Sequence, residues 1–222
     1  MRSTIIAGAL AFAISNVAAQ SSYYSNQSAP FFLQISSHNK TLDGQTLNPC
    51  HEGAAIEGLC LGGALTSESY TYNFNYSADA VADPVTGIIG LLTWELRGSN
   101  FNLSSPMALA CMSSNPSSSP TLPVTFTNTF PPDNPTSNVA VPLFEPAETG
   151  TSVGFDSSNK LFIPQYIDDT VIPANYSTER VYRWRVCQTT SGYTYDTLAW
   201  VMGIHKAENP SCQKVNVVRV FA

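Results

Sequence analysis

Residues 69–77 read Ser69-Tyr-Thr-Tyr-Asn-Phe-Asn-Tyr-Ser77, a strict alternation of aromatic and small polar side chains. Successive side chains of a β-strand point to opposite faces, so the pattern predicts a strand with one aromatic and one polar face. Similar short runs recur along the chain between turn residues, and no window has helical periodicity with caps. The sequence therefore predicts an all-β protein.

Further apolar or alternating runs lie on both sides of this segment. They cover residues 31–37, 87–96, 122–128, 139–144, 160–167, 181–187, 193–203 and 214–221. We expect a single antiparallel β-sandwich or barrel-like domain over residues 30–222, with a Ser/Pro-rich surface excursion around residues 113–138. Two lobes joined by that excursion are the alternative, but each half alone would have too few strands for a closed sandwich.

Residues 1–19 have the pattern of a secretory signal peptide. Met1-Arg2 gives a positive start, an apolar run covers residues 5–14, and Val17-Ala-Ala19 has the small residues that a signal peptidase reads. The apolar run is shorter than the roughly 20 residues of a membrane span, although a membrane anchor is the alternative. We expect cleavage after Ala19 and a flexible segment over residues 20–29.

Asn-X-Ser/Thr glycosylation acceptors also favour secretion. They lie at Asn26, Asn39, Asn75, Asn102 and Asn175. A glycan on Asn75 requires its side chain to face solvent, which sends the aromatic residues of the 69–77 strand to the other face. We therefore expect a secreted glycoprotein.

Five cysteines follow the signal segment, in a chain expected to fold in an oxidising compartment. Proximity favours the pairs Cys50–Cys60 and Cys187–Cys212, although the sequence alone does not fix the connectivity. Cys111 is then left over as a buried thiol in an apolar context, with an intermolecular disulfide as the alternative. No Cys-x-x-Cys or His-x-x-x-His spacing of a zinc site is present, and we expect no metal or cofactor.

Three segments carry a resemblance to a known group of proteins. They are Cys50-His-Glu-Gly-Ala-Ala-Ile-Glu-Gly-Leu-Cys60, Gly192-Tyr-Thr-Tyr-Asp-Thr-Leu-Ala-Trp200 and Asn209-Pro-Ser-Cys-Gln-Lys-Val215. With them the chain resembles filamentous-fungal secreted proteins that carry a domain of unknown function, over most of residues 30–222. The resemblance implies a fungal, extracellular protein, and it supplies no reaction and no catalytic residues.

Enzyme chemistry has few candidates in this sequence. Glycoside hydrolysis needs two carboxylates about 5–10 Å apart across a cleft. The candidates are Glu52, Glu57, Asp168 and Asp169. Glu52 and Glu57 could converge with His51 in the short loop between the first two cysteines. The nucleophile elbow of serine hydrolases belongs to an α/β fold, which this all-β pattern does not predict.

Aromatic residues near the end of the chain are candidate ligand contacts. Tyr193, Tyr195 and Trp200 lie close to glycines, and exposed aromatic rings there could stack on sugar rings. Core packing with hydrogen-bonded polar tips is the alternative. The formal net charge of −6 argues against nucleic acid or an anionic membrane as partner, since both need a basic surface.

The leading hypothesis is a non-catalytic extracellular or cell-wall-associated binding or interaction protein. Its partner would be a carbohydrate or a protein of the cell wall or the host. A glycan-active hydrolase and a purely structural wall or matrix component are the alternatives.

Overall fold

The computed structural model describes residues 25–98, 101–111, 137–147, 149–191 and 193–222. This part of the chain forms strands and contains no helix. The strands are β1 (Asn26–Gln27), β2 (Phe31–Ser36), β3 (Gln45–Gly53), β4 (Ile56–Ala64), β5 (Asn73–Tyr76), β6 (Gly90–Arg97), β7 (Asn102–Cys111), β8 (Val139–Phe144), β9 (Ser152–Phe155), β10 (Leu161–Asp168), β11 (Asn175–Val181), β12 (Trp184–Thr190), β13 (Thr194–Val201), β14 (Gln213–Lys214) and β15 (Asn216–Phe221).

Three expectations fall on residues that lie outside the described ranges. They are the signal peptide at residues 1–19, the strand at residues 122–128 and nearly all of the excursion at residues 113–138. In the described ranges, no helix has the length and apolar character needed to cross a membrane.

All strands belong to one antiparallel sheet with the order β11-β10-β9-β6-β7-β8-β13-β4-β3-β2-β15. Off this path, β5 joins β1 to β6, and β12 joins β14 to β13. β15, at one end of the path, approaches the residues before β10, next to the other end, through an isolated bridge between Lys160 and Val218, where the Arg219 amide also donates to the Asn159 carbonyl (3.0 Å). The predicted antiparallel all-β fold is confirmed, as one sheet that folds back on itself without closing.

The core lies inside this folded sheet, and β2 shows why the chain places it there. Phe31, Leu33 and Ile35 alternate with half-buried residues and are themselves fully buried. In the same core, Trp184 packs edge-on against Trp200, with ring centroids 4.7 Å apart. The indole N–H of Trp184 donates to the Leu161 carbonyl (3.0 Å). Burial of each such side chain contributes about 1.5–3 kcal/mol, so the apolar alternation of β2 determines which of its faces turns inward.

The 69–77 segment is only partly as expected. Tyr72 and Phe74 are buried, but Asn75 is also only 3% exposed, and its Oδ1 accepts a hydrogen bond from the Thr93 hydroxyl (3.1 Å). The expected solvent-facing orientation of Asn75 is therefore wrong, because both faces of β5 are covered. A glycan on Asn75 has no room in the folded chain.

Both predicted disulfides are present. Cys50–Cys60 joins β3 to β4 with a Cα–Cα distance of 5.8 Å, and Cys187–Cys212 joins β12 to the segment before β14. Bridges of this kind typically stabilise a domain by about 2–4 kcal/mol. Cys111 ends β7, and its side chain lies outside the described part of the structure.

Candidate functional site

The β3–β4 hairpin carries its two glutamates on opposite faces. Cys50 lies directly opposite Gly58. Cys50 and Gly58 therefore share one face of the hairpin. Glu57, next to Gly58 in β4, lies on the opposite face together with the buried Leu59. The Glu52 side chain lies over Gly58, where a Cβ would be 3.2 Å from its Cγ. The two carboxylates consequently point away from each other and do not form the pair that glycoside hydrolysis requires.

The two aspartates of the hydrolase hypothesis occupy a hairpin turn. Asp168 ends β10, and its Oδ1 accepts hydrogen bonds from the Thr170 hydroxyl (2.6 Å) and the Thr170 amide (3.0 Å). These two bonds lower the pKa of Asp168. A carboxylate kept ionised in this way shapes a turn and is poorly suited to donate a proton as a general acid.

Glu52 links the hairpin to the turn between β12 and β13. Its side chain is only 5% exposed, and its Oε2 accepts the Tyr193 amide hydrogen (3.3 Å). A Glu52 oxygen and the sulfurs of Cys50 and Cys60 all lie within 4.8 Å of one another. Because the sulfurs are bonded to each other, they are not thiolate metal ligands. The arrangement therefore positions Tyr193 and offers a metal only one carboxylate.

An aromatic surface formed by His51, Tyr193 and Tyr195 lies at this junction. Tyr193 is 51% exposed, and its ring centroid lies 5.5 Å from that of His51 and 6.2 Å from that of Tyr195. The β12–β13 hairpin closes beside it with hydroxyls of Thr190 and Thr194 2.9 Å apart. The side chains of two predicted ligand contacts, Tyr193 and Tyr195, thus lie together, with His51 beside them.

Trp200, the third predicted contact, is not part of this surface. It lies an odd number of residues from Tyr195 in the same strand, so the two side chains point to opposite faces. Trp200 is 6% exposed and packs against Trp184 in the core. The ligand-contact prediction for Trp200 is wrong, and core packing, the alternative, describes it.

A groove of about 390 Å³ lies beside the aromatic surface, between the β3–β4 turn and the β6–β7 turn. Ile56 and Ala54 form one wall, and Leu96 and Phe101 form the other, while His51 borders both the groove and the aromatic surface. The sequence reasoning did not identify this groove. Two of its apolar lining residues, Ala54 and Phe101, lie in turns, where polar residues are usual, but the local sequence does not show that these turns meet.

Charge in the groove comes from Glu57 and Arg97. Glu57 accepts the indole N–H of Trp94. Burial raises the pKa of the Tyr72 hydroxyl well above its ordinary value, and the Glu57 charge adds to that shift. The Arg97 guanidinium donates twice to one oxygen of Glu95, from Nη2 (2.8 Å) and Nε (3.1 Å). Arg97 is therefore already paired, whereas Glu57 has an indole as its hydrogen-bond donor.

The glycosylation acceptors differ in their surroundings. Asn102 and Asn175 are exposed at the start of β7 and β11. Asn26 is half-buried and donates to the Ser77 carbonyl (3.4 Å), while Asn39 Oδ1 accepts the Thr41 amide hydrogen (2.9 Å) in a turn. Asn102 and Asn175 therefore remain the acceptors with open access.

Fold and site together define a class: an all-β domain with two disulfides and an exposed aromatic surface next to an apolar groove. A family model for a domain of unknown function (DUF7907) matches residues 28–221, and the chain belongs to that family. The predicted membership in a family of unknown function is thereby confirmed. Comparison with curated proteins and with solved structures gave no match.

Proposed function

We propose that this protein is a secreted, non-catalytic carbohydrate-binding protein whose aromatic surface stacks on sugar rings. The observation that carries the proposal is that Tyr193 is 51% exposed and lies beside the rings of His51 and Tyr195 at the surface. Aromatic side chains with one apolar face and one polar tip are suited to ligands that are themselves apolar on one face and hydroxylated at the rim.

Rigid support on both sides favours a binding role for this surface. The Cys50–Cys60 bridge holds the strand that carries His51, and Glu52 fixes the backbone of Tyr193. A surface already ordered in its bound conformation loses little entropy when a ligand arrives, so even a few aromatic contacts yield measurable affinity.

The positions of the carboxylates also favour binding over hydrolysis. Glu52 and Glu57 lie on opposite faces of the hairpin, and the Glu52 carboxylate is engaged by the Tyr193 amide. Glu52 therefore has a positioning role beside Tyr193, and Glu57 does not share its face.

Secretion is supported by the disulfides and by the pattern at the beginning of the sequence. Disulfides form and persist in oxidising compartments, and this domain has two of them, Cys50–Cys60 and Cys187–Cys212. Exposed acceptors at Asn102 and Asn175 would carry glycan in the same compartment.

A retention assay tests this proposal. The oxidised protein is incubated with insoluble chitin, β-glucan and cellulose, and we expect retention on at least one of them. Replacement Tyr193→Ala should weaken retention about five- to tenfold, the effect of losing roughly 1–1.4 kcal/mol. Tyr176→Ala is the matched control, since Tyr176 is 63% exposed on the distant β10–β11 hairpin. Absence of wild-type retention on all three polymers, or equal effects of both replacements, would contradict the proposal.

A further inference from the structure

We propose that the groove between the β3–β4 and β6–β7 turns is a second binding site, and that it takes a small organic cation. The ligand would be a protonated amine on an aromatic or branched aliphatic body. This site is separate from the sugar-binding role proposed for Tyr193, because Tyr193 is not among the groove residues.

The shape and lining of the groove fit a small amphipathic molecule. Its volume of about 390 Å³ falls in the range of roughly 300–1,000 Å³ that is usual for small-ligand sites. Ala54 and Ile56 supply apolar walls, and Phe101 presents an aromatic ring that is 42% exposed. Apolar walls of this kind would cover the body of the ligand and leave one polar group to be recognised.

The charged side chains of the groove indicate which polar group its ligand would carry. Glu57 is half-buried, and among the described residues no Lys, Arg or His nitrogen lies within 4.0 Å of its carboxylate. The other charged group of the groove, Arg97, is paired with Glu95 at 2.8 Å. A partly dehydrated carboxylate next to apolar walls is best complemented by a cationic donor.

Phe101 also favours a cationic ligand. A cation near the face of an aromatic ring is attracted by its quadrupole, and an anionic ligand would be repelled by both Phe101 and Glu57. The net charge of −6 also steers cations toward the protein. Amines should therefore bind more tightly than carboxylic acids or neutral alcohols of the same shape.

The turn that forms one side of the groove is conformationally unusual. Ala55, at the tip of the β3–β4 hairpin, has a positive φ of 58°. Non-glycine residues seldom adopt this region, and such strain is concentrated at functional sites. Ala55 itself lines the groove.

The probe for this site is phenethylammonium, compared with 2-phenylethanol, which has the same body without the charge. Binding is followed by ¹H–¹⁵N correlation spectra of the oxidised protein. The indole N–H of Trp94 is the local reporter, because it donates to Glu57. The indole N–H of Trp184 donates to the buried Leu161 carbonyl and is the internal control.

We expect the Trp94 signal to move with phenethylammonium while the Trp184 signal stays in place, and the ammonium to bind at least tenfold more tightly than the alcohol. Glu57→Gln keeps an acceptor for the indole and should weaken amine binding at least tenfold. Phe101→Ala, an exposed position with little risk to folding, should weaken it several-fold. The exposed Glu68→Gln is the charge-matched control and should have no effect.

Equal affinities for the ammonium and the alcohol would overturn the proposal, as would wild-type affinity in Glu57→Gln. A Trp94 signal that does not move at millimolar phenethylammonium would overturn it as well. Tyr193→Ala should retain full amine binding, and a loss there would contradict the separation of the two sites. A negative retention assay on polysaccharides leaves these outcomes unaffected.

Discussion

Replacing Glu52 tests how the aromatic surface is supported. In Glu52→Ala the Tyr193 amide loses its carboxylate acceptor, and space opens beside the Cys50–Cys60 bridge. Hydrogen bonds to charged groups contribute about 1.5–3 kcal/mol. Because Glu52 is almost fully buried, water replaces that bond poorly, and we expect the free energy of unfolding to fall by about 2–3 kcal/mol. In Glu52→Gln a neutral oxygen still accepts the amide hydrogen, so the loss should be about 1 kcal/mol.

Urea unfolding with both disulfides intact measures this effect. A lower midpoint with an unchanged denaturant slope would show that stability changed and that the unfolded state did not. Glu68→Ala, at an exposed turn, serves as control and should stay within about 0.5 kcal/mol of wild type. A Glu52→Ala midpoint equal to that of wild type would refute the claim that this buried carboxylate holds the two hairpins together.

Three further predictions concern stability. Trp184→Phe should lower the free energy of unfolding in urea by about 2–3 kcal/mol, since the Leu161 carbonyl loses its donor; an unchanged midpoint would contradict this. Ala55→Gly should raise that free energy by about 1 kcal/mol, because glycine adopts a φ of 58° without strain; lower stability would count against it. Burial, together with donation to Asp156, raises the pKa of Tyr182 from 10.0 to about 12. The unfolded chain therefore releases this proton first, and the stability that Tyr182 contributes is complete below pH 10 and lost as pH rises toward 12. In urea titrations Tyr182→Phe should show a smaller loss over that window, and an identical pH profile would contradict the assignment.

The all-β fold could be predicted from residues 69–77 and similar runs, because strand formation depends on a local period of two. The orientation of Asn75 could not be predicted. The period shows which side chains share a face, but whether one face or both are covered depends on strands far away in sequence. At β5 both faces are covered, and a polar side chain is buried there with Thr93 as its hydrogen-bond partner.

Part of the candidate site could also be predicted from the sequence, and part could not. Sequence proximity identified both disulfides: Cys50 and Cys60 lie on the two strands of one hairpin, and Cys212 directly precedes β14, which pairs with the strand that carries Cys187. Tyr195 and Trp200 were predicted together, although strand periodicity places them on opposite faces, and tertiary packing decides which of those faces is the core. The groove is formed by two turns that converge only in the folded chain, so the local sequence contains no direct signal for it.

The central claim is that the surface of His51, Tyr193 and Tyr195 binds sugar. It is tested most directly by titrating the ¹⁵N-labelled oxidised protein with soluble oligosaccharides of chitin, β-glucan and cellulose. We expect one series to shift the backbone signals of these three residues while the Trp94 indole signal stays in place. Unchanged backbone signals of all three residues with every oligosaccharide, or shifts confined to another part of the sheet, would contradict the claim.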